Sequence, residues 1–371
     1  MAEQPGTQGD GIARVKPGRV VLFGSGETSP SGRKVHARLF ETLSPPINVA
    51  ILETPAGFQP NSQVVAEEVA DFIRRRLRNF HPQVTVVPAR KKDTAFSPDN
   101  PDIAAPVLSA NYIFLGPGSP TYTVRNLKGT PAWRNVLAAQ RRGAVLALAS
   151  AASIAAGAHT LPVYEIYKAG HDLHWAEGLD FFGDYGLELA IVPHWNNSDG
   201  GKKLDTRYCF MGRERMAQLE EMLPDTATVV GLDEHTAILF DFGASMCEVS
   251  GKSTITVRSR GKEQNFQAGA TFPMDLLGDV RTPAFEGETW TTVAVESPPA
   301  PEPALPAEVR DLIAQRQVAR DTRNWEEADR LRDCVVDLGF DIQDTPNGPR
   351  WRPRDTQAEW RALAYVREDV G

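Results

Sequence analysis

The chain has 371 residues, a hydrophobic fraction of 41% and a net charge of −8. This length exceeds one ordinary core, so we predict two domains. The mild acidity gives no support to non-specific binding of nucleic acid or of an anionic membrane. Three widely separated cysteines, Cys209, Cys247 and Cys334, predict free thiols and neither a disulfide framework nor a zinc cage. Because the first residues have no apolar core like that of a secretory signal, and no apolar run approaches membrane length, we expect a cytoplasmic protein without a membrane partner.

The first part of the chain alternates apolar strands with helical segments. Apolar residues recur at helical spacing over Gln63–Phe80. The predicted strands around this helix are Arg19–Phe23, Asn48–Leu52, Val84–Val87 and Tyr112–Leu115. Such alternation requires crossover connections and predicts an α/β fold with a mostly parallel sheet and helices on both faces. Ligands of such sheets bind beyond the carboxyl ends of the strands, so the residues that follow each strand are the candidates for a functional site.

The segment Gly143–Gly157, GAVLALASAASIAAG, contains the first candidate catalytic residue. An apolar strand ends at Ala149, and small residues that can open a helix follow without a spacer. A strand that passes directly into a helix makes a sharp elbow, which exposes a serine hydroxyl beside the first helical N–H groups. Ser150 is therefore a candidate nucleophile. This stretch alone is equally compatible with a small core serine at a tight junction.

Two groups of histidines follow the elbow. Leu187–Val192 is a predicted strand that ends in Pro193-His194-Trp195, and a histidine at that position suits the wall of a crevice. His171 and His174 have the spacing of metal ligands but no nearby cysteine or carboxylate partner, so we interpret them as surface or pocket-lining residues. The Asp233-Glu234-His235 stretch is predicted to be a turn that supports the site, with His235 as the alternative to His194.

The end of the chain differs in character. Cys247–Val249 and Ser253–Val257 are predicted to form an antiparallel hairpin, and a Pro-rich linker, Pro298–Pro306, follows. Beyond it, apolar residues at helical spacing, the capping pair Asn324 and Glu327, and a Pro-Asn-Gly turn predict a helical hairpin followed by a small β-hairpin.

Four segments in order, FLGPGSPTY, GAVLALASAAS, VPHW and GLDEHTAIL, resemble the peptidase E and cyanophycinase group of serine hydrolases. The fold of that group is similar to that of class I glutamine amidotransferases, and the resemblance covers about residues 19–266. It implies a serine peptidase that acts on short peptides, or on unusual peptide or isopeptide bonds, through an acyl-enzyme. Neither a cofactor nor a metal is implied, and a homodimer is left open.

The resemblance assigns roles to five residues. Ser150 matches the nucleophile, His194 the general base and Glu165 the acidic orienting residue, while Gly118 and Ala151 match the oxyanion hole. A serine hydroxyl needs an imidazole to accept its proton, a carboxylate to hold that imidazole, and N–H donors for the oxyanion. The acid is the least determined member, because three other carboxylates lie in the same region: Asp172, Glu177 and Asp180.

The elbow also departs from the usual Gly-x-Ser-x-Gly pattern of that group. Leu148 and Ala152 occupy the two glycine positions, and Ser153 follows them. Side chains crowd a strained turn, so Leu148 must either open the elbow or fill space that the family leaves empty. We expect weak activity or a narrowed substrate range, and we expect Ser153 to be a core or helix-facing hydroxyl.

A second resemblance covers roughly residues 307–352. The run LIAQRQVARDTRNWEEADRLRDCVVDLGFDIQDTPNGPRWR is similar to the C-terminal segment of cysteinyl-tRNA synthetases, which helps to contact the tRNA anticodon region. This implies contact of residues 307–352 with tRNA or with a protein. The alternative overall function is thus a weak or inactive amidotransferase-like scaffold with a binding module. The predicted parts are an arm at 1–18, a peptidase-like domain at 19–280, a linker at 281–306 and a helical domain at 307–371.

Overall fold

A computed structural model of the chain describes residues 16–281, 306–322, 324–345, 348–354 and 361–362. The chain divides into two compact units, Met1–Glu296 and Ser297–Gly371. The predicted arm and the predicted linker lie almost entirely outside the described residues. Within the described part of the chain, no helix is both long enough and apolar enough to cross a membrane.

Strands and helices alternate through the first unit, as the sequence predicts. Its strands are β1 (Val20–Phe23), β2 (Asn48–Leu52), β3 (Gln83–Val87), β4 (Tyr112–Leu115), β5 (Val145–Ala149), β6 (His159–Thr160), β7 (Ala176–Glu177), β8 (Leu189–Val192), β9 (Thr228–Leu232), β10 (Thr236–Asp241), β11 (Met246–Gly251), β12 (Thr254–Ser259), β13 (Lys262–Gln267) and β14 (Thr271–Pro273). Its helices are α1 (Pro30–Phe40), α2 (Ser62–Arg76), α3 (Pro101–Ala104), α4 (Pro106–Ser109), α5 (Pro120–Leu127), α6 (Pro131–Arg141), α7 (Ala151–Ala155), α8 (Val163–Tyr167) and α9 (Gly212–Glu221).

The larger sheet has eight strands in the order β14-β11-β10-β1-β5-β4-β2-β3. The five strands from β1 to β3 in this order are parallel to one another, and β10 joins β1 in antiparallel register. The predicted α/β fold with a mostly parallel sheet is confirmed. The parallel strands place their carboxyl ends, and the residues that follow them, along one edge of the sheet.

A second, six-stranded sheet has the order β13-β12-β9-β8-β6-β7. Strands β8 and β9 are parallel, with Val192 opposite Gly231, so His194 and Glu234 both follow strands that end at the same edge. The predicted hairpin of Cys247–Val249 with Ser253–Val257 is wrong: β11 pairs with β10 in the large sheet, whereas β12 pairs with β9 in the second sheet. The chain changes sheets between them, at Gly251 with φ +123°.

Strand β5 is buried on both faces, as expected for the centre of a covered sheet. Val145, Ala147 and Ala149 pack into the core that contains α1 and α2. Leu146 and Leu148 point to the opposite core, which contains α6 and α7. The residue that follows β5, Ser150, is thereby held between two helical layers.

The second unit contains the predicted helical hairpin and β appendix. Its elements are α10 (Ala307–Asp321), α11 (Trp325–Asp337), β15 (Phe340–Thr345), β16 (Gly348–Pro353) and β17 (Arg361–Ala362). The Asn324 side chain accepts the N–H of Glu327 at 3.3 Å, which confirms the predicted cap. Arg316, 3% exposed, donates two hydrogen bonds to Asp344 at 2.8 and 2.9 Å and ties α10 to β15.

A buried histidine beside the loop after β1 predicts a pH dependence of stability. His36 Nε2 donates to the carbonyl of Glu27 at 3.0 Å, and Nδ1 accepts from the Tyr112 hydroxyl at 2.5 Å. Burial lowers the pKa of His36 to about 4, so the unfolded chain binds this proton more readily than the folded one.

The free energy of unfolding should therefore fall by up to about 3 kcal/mol as the pH drops from about 6.5 to 4. Chemical denaturation of wild type and of His36→Gln at several pH values across this range would isolate the contribution. Equal pH slopes in the two proteins would contradict it.

Candidate active site

Ser150 occupies a strained elbow between β5 and α7. Its backbone has φ +51° and ψ −108°, a conformation that non-glycine residues rarely adopt outside functional turns. The Ser150 N–H donates to the carbonyl of Phe23 at 3.2 Å, which fastens the elbow to the end of β1. This geometry matches the predicted strand-to-helix elbow and leaves the hydroxyl free to face a partner.

That partner is His194, whose Nε2 lies 3.0 Å from Ser150 Oγ. The predicted hydrogen-bond distance between these side chains is confirmed. Three backbone hydrogen bonds fix the histidine: its N–H donates to the carbonyl of Gly24 at 3.3 Å, and its carbonyl accepts the N–H groups of Asn197 at 3.1 Å and Cys209 at 3.2 Å. The imidazole is therefore held beside the hydroxyl from which it would take a proton.

The carboxylate on the other side of the imidazole belongs to Glu234. His194 Nδ1 lies 3.0 Å from Glu234 Oε1, which also accepts from Asn197 Nδ2 at 3.1 Å. The Glu234 N–H donates to Asn196 Oδ1 at 2.8 Å, so the turn itself is anchored. Because an ionised carboxylate can only accept a hydrogen bond, Nδ1 carries the hydrogen and Nε2 is free to accept from Ser150.

Glu165, the residue predicted to orient the histidine, takes a different position, and this corrects the sequence assignment. Its Oε1 accepts a hydrogen bond from the Thr121 hydroxyl, which in turn contacts Ser119 Oγ at 3.2 Å. Glu165 lies on α8, and its one side-chain hydrogen bond among the described residues goes to Thr121 and not to His194. Its Oε2 is buried and has no hydrogen-bond partner among the described residues.

Gly118 and Ala151, the predicted oxyanion donors, line one pocket with Ser150 and His194. Ala151 is the first residue of α7, where N–H groups lack carbonyl partners within the helix. Gly118 follows β4, and a Cβ at this position would lie 1.8 Å from the carbonyl oxygen of Pro55. The same oxygen accepts the Ser119 N–H at 2.9 Å, so the Gly118 backbone is pressed closely onto this loop.

We expect Gly118→Ala to displace this turn and lower kcat/KM by about 100-fold, the loss typical of a 1 Å displacement in an active site. Gly129→Ala is the matched control, because Gly129 also has positive φ, +79°, but open space within 4 Å of its Cβ position. The control should lose about 1 kcal/mol of stability and keep its activity. Equal activity in Gly118→Ala and wild type would show that the close packing of the Gly118 backbone is not needed for the active site.

Leu148 fills core space and does not open the elbow. It is 1% exposed and lies between Leu22 of β1 and Leu115 of β4 in the register of the sheet. Ser153 is fully buried and its hydroxyl donates to the carbonyl of Leu148 at 3.0 Å, which confirms the expectation of a core hydroxyl. Leu148 thus leaves the contact between Ser150 Oγ and His194 Nε2 intact.

The remaining ionisable residues near the site have other partners. His235 packs against Gly26, and its N–H donates to Ser25 Oγ at 3.1 Å. Burial raises the pKa of Glu27, an effect that its own backbone N–H and then the imidazoles of His194 and His235 oppose.

His171 and His174 are exposed, and their rings stack with centres 6.5 Å apart. The described residues contain no group of three or more His, Cys, Asp or Glu arranged to hold a metal ion.

Comparison with known families finds a similarity within the second unit. Residues 302–352 match the family model of the cysteinyl-tRNA ligase anticodon binding domain. A cysteine–tRNA ligase from Symbiobacterium thermophilum is 54% identical over 48 residues, which is 13% of this chain and 10% of the ligase. One from Chlamydia caviae is 34% identical over 89 residues, 24% of this chain and 17% of that ligase. The chain thus spans less than a fifth of the length of these relatives.

Comparison with solved structures concerns the larger unit. A peptidase from an acI-B1 Actinobacterium superposes with a TM-score of 0.57 at 21% identity and covers 70% of this chain and 98% of that one. A putative peptidase E protein from Listeria monocytogenes EGD-e gives a TM-score of 0.40 at 14% identity and covers 66% of this chain and 98% of that one. The first likeness shows a fold shared with a peptidase, in agreement with the predicted resemblance.

Proposed function

We propose that the chain is a serine hydrolase that cleaves peptide or isopeptide bonds of short substrates. The observation that carries the proposal is the continuous hydrogen-bonded series from Ser150 Oγ through His194 to Glu234, with 3.0 Å at both steps. Each element of the series has the chemistry that acyl transfer needs, and the pocket beside it contains two backbone N–H groups that can meet an oxyanion.

The proposed reaction proceeds in two steps. Ser150 Oγ attacks the scissile carbonyl while its proton passes to His194 Nε2, and Glu234 stabilises the resulting imidazolium. The N–H groups of Gly118 and Ala151 bind the oxyanion, and collapse of the tetrahedral intermediate transfers the proton from Nε2 to the departing amine. Water then attacks the acyl-enzyme with His194 again as the base, and the acid product leaves.

A screen of dipeptides and isopeptides with wild type and Ser150→Ala tests this proposal. We expect turnover of at least one substrate by the wild type and none by the variant. Turnover that is equal in the two proteins, or absent across the whole screen, would contradict it.

We also propose that the second unit contacts tRNA, because residues 302–352 match an anticodon binding domain. Trp325 supports this: it is 57% exposed at the start of α11, and the Arg320 guanidinium lies 5.7 Å from the centre of its ring. An exposed aromatic ring beside a cation is a surface on which an unpaired base can stack.

Fluorescence anisotropy of the full chain with a labelled tRNA transcript at increasing salt is the appropriate measurement. Trp325→Ala should weaken binding by about 10-fold, as expected for the loss of one base stack. Val318→Ala, which removes another exposed apolar side chain (63% exposed), should not. An identical affinity for tRNA in all three proteins would contradict a stacking role, and no binding in any of them would contradict tRNA contact.

A further inference from the structure

The pocket that contains Ser150 and His194 has a volume of about 230 Å³. This is below the roughly 300–1,000 Å³ of pockets that enclose a whole drug-sized ligand, so its size suits one side chain and the bond beside it. The other residues that line this pocket determine which side chain of a substrate fits into it.

The lining of the pocket is mainly apolar and includes three aromatic side chains. Tyr164 and Tyr167 come from α8 and Phe210 comes from the segment before α9, and Ile154 and Val163 add aliphatic surface. The rings of Tyr167 and Phe210 pack with their centres 5.1 Å apart. An apolar or aromatic group placed among them would lose contact with water on several sides, which is the main source of favourable binding energy for such groups.

The wall at Phe210 is joined to the catalytic histidine. Phe210 and Cys209 have φ values of +69° and +54°, so this short segment adopts a conformation that only firm anchoring maintains. Its anchor is the hydrogen bond from the Cys209 N–H to the carbonyl of His194. The wall and the imidazole therefore keep a fixed relation, as a specificity pocket next to a reacting bond requires.

The charges of the pocket disfavour a cationic side chain. None of the twelve residues that line it is an aspartate or glutamate, and Lys168 supplies a positive charge, with Nζ 5.0 Å from the centre of the Tyr167 ring. Burial raises the pKa of the Cys209 thiol to about 12, so this lining residue is uncharged at neutral pH. An ammonium or guanidinium group here would find no carboxylate among the lining residues and would face the like charge of Lys168.

We propose that this pocket binds an apolar or aromatic side chain of the residue whose carbonyl group Ser150 attacks, and that it rejects a cationic one. The inference rests on the proposed function, since it needs Ser150 as the nucleophile. It extends that function by naming the substrate class: peptides with an apolar or aromatic acyl residue at the scissile bond.

Boronic acids that carry different groups on boron test the inference without a known substrate. Ser150 Oγ donates an electron pair to the empty orbital of boron, a B–O bond forms, and the hydroxyl proton passes to His194 Nε2, so the adduct resembles the tetrahedral intermediate. Phenethylboronic, pentylboronic, methylboronic and 4-aminobutylboronic acids would be titrated into the full chain by calorimetry. The pentyl and aminobutyl groups are nearly equal in size, so their ratio isolates the effect of the charge.

We expect phenethylboronic acid to bind about 30-fold more tightly than methylboronic acid, the ratio for burial of a phenylalanine-sized group. Pentylboronic acid should bind at least about 10-fold more tightly than its cationic counterpart. Tyr167→Ala should remove most of the phenethyl preference, measured as the ratio of phenethylboronic to methylboronic acid affinity. Met222→Ala, a control at a half-exposed methionine outside the pocket, should behave as wild type.

Two kinds of failure are distinguishable. If all four acids bind with equal affinity and Ser150→Ala abolishes binding, the nucleophile stands and the pocket inference is overturned. If the aminobutyl compound binds most tightly, the proposed exclusion of cations is overturned. If no boronic acid binds, or if binding survives in Ser150→Ala, the proposed function fails and the inference fails with it.

Discussion

Replacing Ser150 with alanine is expected to lower the hydrolysis rate by about 10⁴-fold or more, with no change in the folded structure. The substitution removes the atom that forms the acyl bond in the proposed reaction, and residues of such a triad act as a unit, so losing one loses nearly all of its catalysis. Steady-state kinetics on the best substrate of the peptide screen, with circular dichroism as a check of folding, would measure the effect.

Ser153→Ala is the matched control, because it removes a hydroxyl three residues further along the same elbow. That hydroxyl is fully buried and donates to the Leu148 carbonyl, so its loss should lower the free energy of unfolding by about 1 kcal/mol and change the rate only a few-fold. Activity that survives Ser150→Ala but disappears in Ser153→Ala would move the nucleophile to Ser153.

Glu234→Gln is expected to lower kcat by about 10³-fold with little change in KM. A neutral amide cannot stabilise the imidazolium, and its N–H₂ group favours the tautomer of His194 that has no free Nε2 to accept the serine proton. We expect this effect for Glu234 because its Oε1 lies 3.0 Å from His194 Nδ1. Pre-steady-state kinetics should locate the loss in the chemical steps, since the side chain lies behind the imidazole and does not line the pocket.

The comparison variant is Glu165→Gln, at the carboxylate that the sequence favoured. Its Oε1 accepts from Thr121, and an amide oxygen can accept the same bond, so activity should stay within a few-fold of wild type. A large loss in Glu165→Gln together with normal activity in Glu234→Gln would restore the original assignment and reject the one made from the structure.

Ser150 and Gly118 are predictable from sequence because each lies in the segment that follows an apolar strand. Their strands, β5 and β4, are parallel neighbours in the eight-stranded sheet, so the two residues meet at one edge of that sheet. His194 is also recognisable from sequence, since it comes two residues after the apolar strand β8. Its strand belongs to the second sheet, however, so local pattern alone does not place it beside Ser150.

Glu234 is not predictable in this way, since its place depends on a pairing between strands far apart in sequence. Only the parallel register of β8 and β9 brings the turn after β9 beside His194. The sequence does contain one indication of this carboxylate, the polar Asp233-Glu234-His235 turn at the end of an apolar strand. From sequence, this turn is predicted only to support the site and not to supply its acid. The same long-range freedom explains the incorrect hairpin, because periodicity identifies β11 and β12 as strands but does not show which sheet each joins.

Leu148 illustrates a limit of reasoning from a family pattern. A leucine at a glycine position of the Gly-x-Ser-x-Gly pattern predicts crowding at the elbow. Whether the elbow opens depends on whether the adjacent core has room for the side chain. Here the side chain is buried between neighbouring strands and the distance from Ser150 Oγ to His194 Nε2 remains 3.0 Å. The expectation of weak activity or a narrowed substrate range stays a prediction for kinetics.

Labelling with a fluorophosphonate, followed by intact mass measurement and peptide mapping, tests whether Ser150 is an activated nucleophile and needs no substrate. The reagent phosphonylates an activated serine, with fluoride as the leaving group and the hydroxyl proton accepted by the neighbouring base. We expect one adduct per chain, located on Ser150, absent in Ser150→Ala and strongly slowed in His194→Gln. An unlabelled wild-type chain, or an adduct on any other residue, would contradict it.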